Sequence, residues 1–117
     1  MTQDSKINYI ELAAADITKA KVFYGEVFGW KFVDYGEDYC AFNDGNLDGG
    51  FYRSPLASDT AAGAALVVLY ADDLESTLER ITNHGGSVNK PIFSFPGGRR
   101  FHFLDPNKNE LAVWSDH

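Results

Sequence analysis

With 117 residues, 44% of them hydrophobic and 15% aromatic, the chain has apolar surface enough for one folded domain and too little length for two. A formal net charge of −7 excludes a nucleic-acid partner, because a phosphate backbone needs a basic stripe to displace its counterions. The polar start at residues 1–6 and the lack of a long apolar run argue against a signal peptide and a membrane partner, so a cytoplasmic protein is expected.

The first patterned stretch, residues 7–14, alternates so that Ile10, Leu12 and Ala14 share one face of a strand and Tyr9, Glu11 and Ala13 the other. Asp16 then offers a side-chain oxygen to cap a helix whose apolar stripe is Ile17, Ala20, Tyr24, Val27 and Phe28, and Gly29 stops it. Three short strands follow near 30–35, 39–43 and 50–53, divided by turn formers that include Asp44-Gly45. Cys40, the one cysteine, alternates with its neighbours as a buried strand residue and excludes an internal disulfide.

Residues 54–63, rich in Ser, Ala and Pro, form a connector, and the pattern then begins again. A strand is expected over 64–71 and a helix capped by Asp73 with Leu74, Thr77, Leu78 and Ile81 on one face. Gly85-Gly86 ends that helix, and strands follow near 87–93, 99–104 and 110–115. One offset separates both Asp16 from Asp73 and Gly29 from Gly86, so cap and stop repeat together. The expectation is an α+β domain of two βαβββ modules, about 6–54 and 64–116, within a single domain over 1–117.

The blocks Ile7-Asn8-Tyr9-Ile10-Glu11-Leu12, Asp16-Ile17, Phe23-Tyr24 and Val27-Phe28-Gly29-Trp30 resemble the opening signature of the vicinal oxygen chelate superfamily, which contains glyoxalase I, bleomycin-resistance proteins and extradiol dioxygenases. Asp72-Asp73-Leu74, His84-Gly85-Gly86 and Phe103-Leu104-Asp105-Pro106 extend the resemblance over nearly the whole chain. It implies an open, eight-stranded curved sheet around a cup, helices outside, and a homodimer. Lys108 stands where the family's turn after Asp-Pro has Gly, and a nearby Asn is expected to take the left-handed conformation.

The resemblance also implies four metal-ligating positions, two per half. Counted from the capping aspartate and the Asp-Pro turn, these are Tyr9, Leu66 and Ala112, with Asp48 the one oxygen donor left between Asn46 and Arg53. Such a set cannot build a hard-ion shell, so no cofactor and no metal is expected. His84 at a helix end and His117 at the C-terminus are structural or solvated, whereas His102 faces the cup or the outside depending on a bulge near it.

If the family's ligand positions face inward, period-two alternation brings Tyr9 and Glu11, then Leu66, Val68 and Tyr70, then Glu110, Ala112 and Trp114 to the cup. Glu11 is the candidate catalytic or donor-recognising residue, because a carboxylate on an apolar strand costs burial energy unless a partner meets it; the bland alternative is an internal arginine pair. Gly97-Gly98-Arg99-Arg100 is either a lip with guanidinium donors or a solvated hairpin.

Two functions remain open: a metal-free binding protein for a small organic molecule, or a divalent-metal lyase or isomerase of glyoxalase type with a displaced site from Glu11, Asp48, His102 or Glu110. A regulatory module, its cup filled by its own side chains, is the third.

Overall fold

In the computed structural model, which describes residues 3–117, Asp16 and Asp73 cap the two helices as their positions predict. Asp16 Oδ1 accepts the Lys19 amide at 3.1 Å, and Asp73 Oδ1 accepts that of Ser76 at 3.0 Å. The chain runs β1 (Tyr9–Ala14), α1 (Ile17–Phe28), β2 (Lys31–Asp34), β3 (Tyr39–Asn43) and β4 (Asp48–Arg53). A short 3-10 turn at Thr60–Ala62 leads to β5 (Val67–Tyr70), α2 (Leu74–Asn83), β6 (Ser87–Phe95), β7 (Gly98–Leu104) and β8 (Glu110–Ser115). The eight strands form two four-stranded sheets of matching order, β1-β4-β3-β2 and β5-β8-β7-β6, each with one parallel pair.

Both sheets turn one face into a shared core. Leu12, Phe42 and Phe51 from the first sheet, and Phe101, Phe103, Leu111 and Val113 from the second, meet Phe23, Tyr24, Leu74 and Ile81 of the helices. Trp30 stacks between Tyr24 and Phe42, each 4.5 Å away between ring centroids. Burying each large side chain contributes roughly 1.5–3 kcal/mol, so this cluster is the main stabilising term. The opposite faces of both sheets point away from the core.

Three local expectations need correction. The left-handed residue that ends α2 is Gly85, φ 99°, not Gly86. Gly86 is required for a different reason: a Cβ there would stand 2.6 Å from Ile81 Cγ2 and 3.1 Å from Phe23. In the Asp105-Pro106 turn Lys108, not an asparagine, takes the positive φ of 72°. Both asparagines are engaged elsewhere: Asn107 exchanges bonds with the Asp16 backbone at 2.8 and 3.0 Å, and Asn109 Nδ2 donates to Ala13 O at 2.7 Å. Finally, β5 begins at Val67 rather than residue 64. Beyond its pairing with β8 the ladder is replaced by the connector, since the Glu110 amide donates to Ser58 O.

Candidate functional site

The open face of the first sheet carries Tyr9 and Glu11 of β1, Asp48, Gly50 and Tyr52 of β4, Tyr39 and Ala41 of β3, and Val33 of β2, as register and alternation require. Here lies a hollow of about 570 Å³, lined by Tyr9, Val33, Tyr35, Tyr39, Ala41 and Asp48 among others. Tyr39 crosses the strand beside it: its hydroxyl donates to Glu11 Oε2 at 2.9 Å and lies 2.5 Å from the Tyr9 hydroxyl. Partial burial, with these bonds to Tyr9 and Glu11, holds the Tyr39 phenol well above its usual range.

Glu11 is exposed, and its partner is a tyrosine rather than the internal arginine considered from sequence. The burial cost expected of it is therefore absent in the single chain. Gly49-Gly50 makes the arrangement possible. On the core side Phe42 lies over Gly49, and on the open side the Tyr39 ring and hydroxyl lie where a Gly50 Cβ would stand. Gly50→Ala is expected to push Tyr39 off Glu11 and cost about 1–3 kcal/mol by overpacking. Ultraviolet titration should then show the Tyr39 phenol ionising at lower pH than in the parent; an unchanged titration would mean that the glycine cradle does not hold the ring.

On the second sheet, Val68 pairs with Ala112, Tyr70 with Trp114, His102 with Ala112 and Arg100 with Trp114, so these six share one open face. Val68 and Tyr70 are exposed, Leu66 and Trp114 half-buried, and Ala112 fully buried. Tyr70 donates to Asp116 at 2.7 Å and meets Trp114 edge to face at 5.2 Å. The register shifts fall on β6, not β7, and the unbroken β7–β8 register places His102 on the Ala112 side.

His102, 4% exposed, places Nδ1 2.8 Å from Glu110 Oε2. Glu110 Oε1 accepts from the Thr60 amide and hydroxyl at 3.0 and 2.7 Å. These bonds, that from His102 foremost, pull the Glu110 carboxyl to about 2 against its burial. Alternation separates the two arginines of the hairpin. Arg99 pairs with Glu75 at 2.6 Å, while Arg100 turns to the open face, where its guanidinium lies 5.3 Å from the Phe93 ring centroid.

The other histidines and Arg53 lie apart from these groups: His84 Nδ1 meets Arg80 O at 2.7 Å, His117 is an exposed terminal residue near Asp72, and Arg53 approaches Asp38 at 3.6 Å. Sequence reasoning did not single out Tyr39, Thr60 or Phe93. The consecutive glycines at 49–50 were the available signal for Tyr39, since glycine inside a strand marks close approach of another group.

The model of the glyoxalase/bleomycin resistance protein/dioxygenase superfamily matches residues 6–113. The chain belongs to this superfamily. A glyoxylase-like domain-containing protein of Didymella fabae is 26% identical over 126 residues, covering 97% of each chain. The chain spans only 44% of the length of a Mycobacterium bovis relative that it matches at 24% identity. Among solved structures, the fosfomycin resistance protein FosX of Listeria monocytogenes, in complex with Mn(II) and dihydroxypropylphosphonic acid, superposes with a TM-score of 0.79 at 19% identity, covering 96% of this chain and 90% of that one. Lactoylglutathione lyase of Agrobacterium tumefaciens gives 0.71 at 22% identity, covering 97% and 96%.

At the metal positions that the resemblance implies, the chain has few donor atoms to offer. Leu66 and Ala112 have no donor atom, and the Tyr9 hydroxyl is engaged with Tyr39. Among the described residues, no three His, Cys, Asp or Glu side chains come close enough to hold an ion. The displaced set is divided, with Glu11 and Asp48 on the first sheet and His102 and Glu110 on the second. The side chains present do not fit a divalent ion within one chain, and no step is routed through one.

Proposed function

We propose that this superfamily member binds a small organic molecule without the family's metal ion, in a cup built from the two open sheet faces. Tyr9 and Glu11 line it from the first sheet; Leu66, Val68, Tyr70 and Trp114 line it from the second, with His102 and Ala112, both buried in the single chain, on the same face. The observation that carries this reading is the aromatic hollow of about 570 Å³ lined by Tyr9 and Tyr39, the latter bonded to Glu11 beside it. Apolar walls with a few oriented polar groups are what a small-molecule site needs. Glu11 is the acceptor that orients a donor of the ligand.

The faces also favour a second copy of the chain as their cover. Tyr9, Val33, Tyr35 and Tyr52 on the first, and Val68 and Tyr70 on the second, are large and exposed. Glu11 and Asp48 outnumber Lys31 on the first face, while Lys90 and Arg100 stand on the second, so first face on second face is the complementary pairing. The occupant in this reading is a homodimer partner, with the ligand between the faces.

The test is metal analysis and sedimentation equilibrium of protein purified without chelator, then nuclear magnetic resonance screening of small aromatic fragments in the presence of EDTA. The expected result is a dimer with well under one metal per chain, and fragments that shift Tyr9, Val33 and Ala41. Glu11→Gln should weaken those fragments about tenfold or more, the worth of a hydrogen bond to a charged group. One tightly held metal per chain, or binding that chelation abolishes, would overturn metal-independence, and a monomer would overturn the shared cup.

A further inference from the structure

We propose that the second sheet carries a recognition site for an oxyanion, a carboxylate or phosphate group of the ligand, held by Arg100 and His102 beside Phe93. This deepens the binding function above and rests on it only in placing the ligand on this face.

Two nitrogens call for the site. Arg100 Nε and His102 Nε2 are both buried without a hydrogen-bond partner. Each such orphan costs about 1–3 kcal/mol, and native proteins seldom keep one without a use. The two residues are two apart on β7 and therefore project from the same face. They converge on a single aromatic ring: the Arg100 guanidinium carbon is 5.3 Å, the His102 ring 6.0 Å and Lys90 Nζ 5.7 Å from the Phe93 centroid.

In a chain of net charge −7 this is a local concentration of cationic groups. Among the described residues no carboxylate pairs with Lys90 or Arg100. The carboxylate bonded to His102, that of Glu110, also accepts from Thr60. The Arg100 guanidinium carbon lies over the Phe93 ring at 5.3 Å and the Phe95 ring at 5.8 Å, contacts that use none of its N–H donors. Its N–H donors, Nε among them without a partner, can grip two oxygens of a planar anion.

His102 supplies the second contact. Ionised Glu110 can only accept, so the proton on Nδ1 is fixed and Nε2 is the free end of the ring. An oxyanion arriving at Nε2 favours the imidazolium, whose second N–H it accepts. Entry is by way of β6, which crosses the site with register shifts on both sides of Lys90 and contains Pro91, a residue without an amide donor. The two shifts interrupt the β6–β7 ladder there, and Phe93 sits at the end of that stretch.

The test titrates the labelled protein with benzoate, with inorganic phosphate and, as a neutral control, with benzamide. Benzoate or phosphate should saturably shift the Arg100 Nε and His102 Nε2 resonances, His102 moving toward its imidazolium signature, while benzamide leaves both unmoved. Arg100→Gln should weaken the anion at least tenfold, and Arg100→Lys should restore part of that loss. Preference between the two anions identifies which oxyanion the ligand carries. Absence of a saturable shift with both anions, equal binding by Arg100→Gln, or equal effects of benzamide and benzoate would overturn the proposal. If neutral fragments still bind at Tyr9 and Tyr39 in that case, the binding function stands without it; if a metal is found and anion binding at Arg100 survives chelation, only the metal-free reading falls.

Discussion

Replacing Asp105 with alanine is expected to lower the unfolding free energy by about 4 kcal/mol, the upper range for a point substitution, because four donors lose one acceptor group at once. Asp105 is 2% exposed and accepts from the Tyr24 hydroxyl at 2.8 Å, the Asn107 amide at 2.8 Å, and the Asn109 amide and side chain at 3.0 and 3.2 Å. Burial pushes its carboxyl above the usual range, and those bonds, Tyr24 first, pull it back. The pair also lifts the Tyr24 phenol, chiefly through burial.

The consequences reach across the molecule, since the turn that Asp105 organises holds the two modules together through Asn107 at Asp16 and Asn109 at Ala13. Asp105→Ala should therefore loosen α1 and β1 as well as the turn. Urea unfolding at fixed protein concentration measures the loss, and hydrogen exchange should report weakened protection at the Asp16 amide. Asp105→Asn, which retains one oxygen for the backbone amides, should lose clearly less. A loss under about 1 kcal/mol for the alanine variant would mean that water satisfies these donors and that the turn is no clasp.

The residues behind that clasp show what was legible in the sequence. Helix caps are local chemistry, so Asp16 and Asp73 could be placed from their neighbours alone, and period-two alternation assigned Tyr9 and Glu11 to the face opposite Leu12. The Asp-Pro turn was recognisable as a turn. That Lys108 rather than an asparagine would take the positive φ depends on where Asn107 and Asn109 send their side chains, which are contacts to β1 and α1 made from far along the chain.

The site divides in the same way. Alternation could place Glu11 on an open face, but not supply Tyr39 as its partner, because that contact arises from a ring lying across Gly50 on the intervening strand. The facing of His102 turned on which strand held the irregularity: it falls in β6, and the unbroken β7–β8 register leaves His102 beside Ala112. Its partner Glu110 is in turn held by the connector, through Thr60, although nothing in the connector's composition marks it as part of a site.

That connector contact makes the stability of the second module depend on pH in a defined direction. The Glu110 carboxyl ionises at about 2 in the folded chain against an ordinary value of 4.5, so the folded state favours the ionised form. The stabilisation is fully present above the unfolded value and is lost as pH falls from about 4.5 toward 2, amounting at most to about 3 kcal/mol. Glu110→Gln removes the titrating group while keeping an oxygen for Thr60. Its unfolding free energy should lie about 2–3 kcal/mol below the parent at pH 7, and the two should converge as the acid side of the transition is reached. Denaturant titrations at constant protein concentration across that interval measure the difference. Parallel curves would assign the acid loss to other carboxylates, whereas convergence together with early exposure of 58–62 to proteolysis would show that the Glu110 carboxylate is what holds the connector in place.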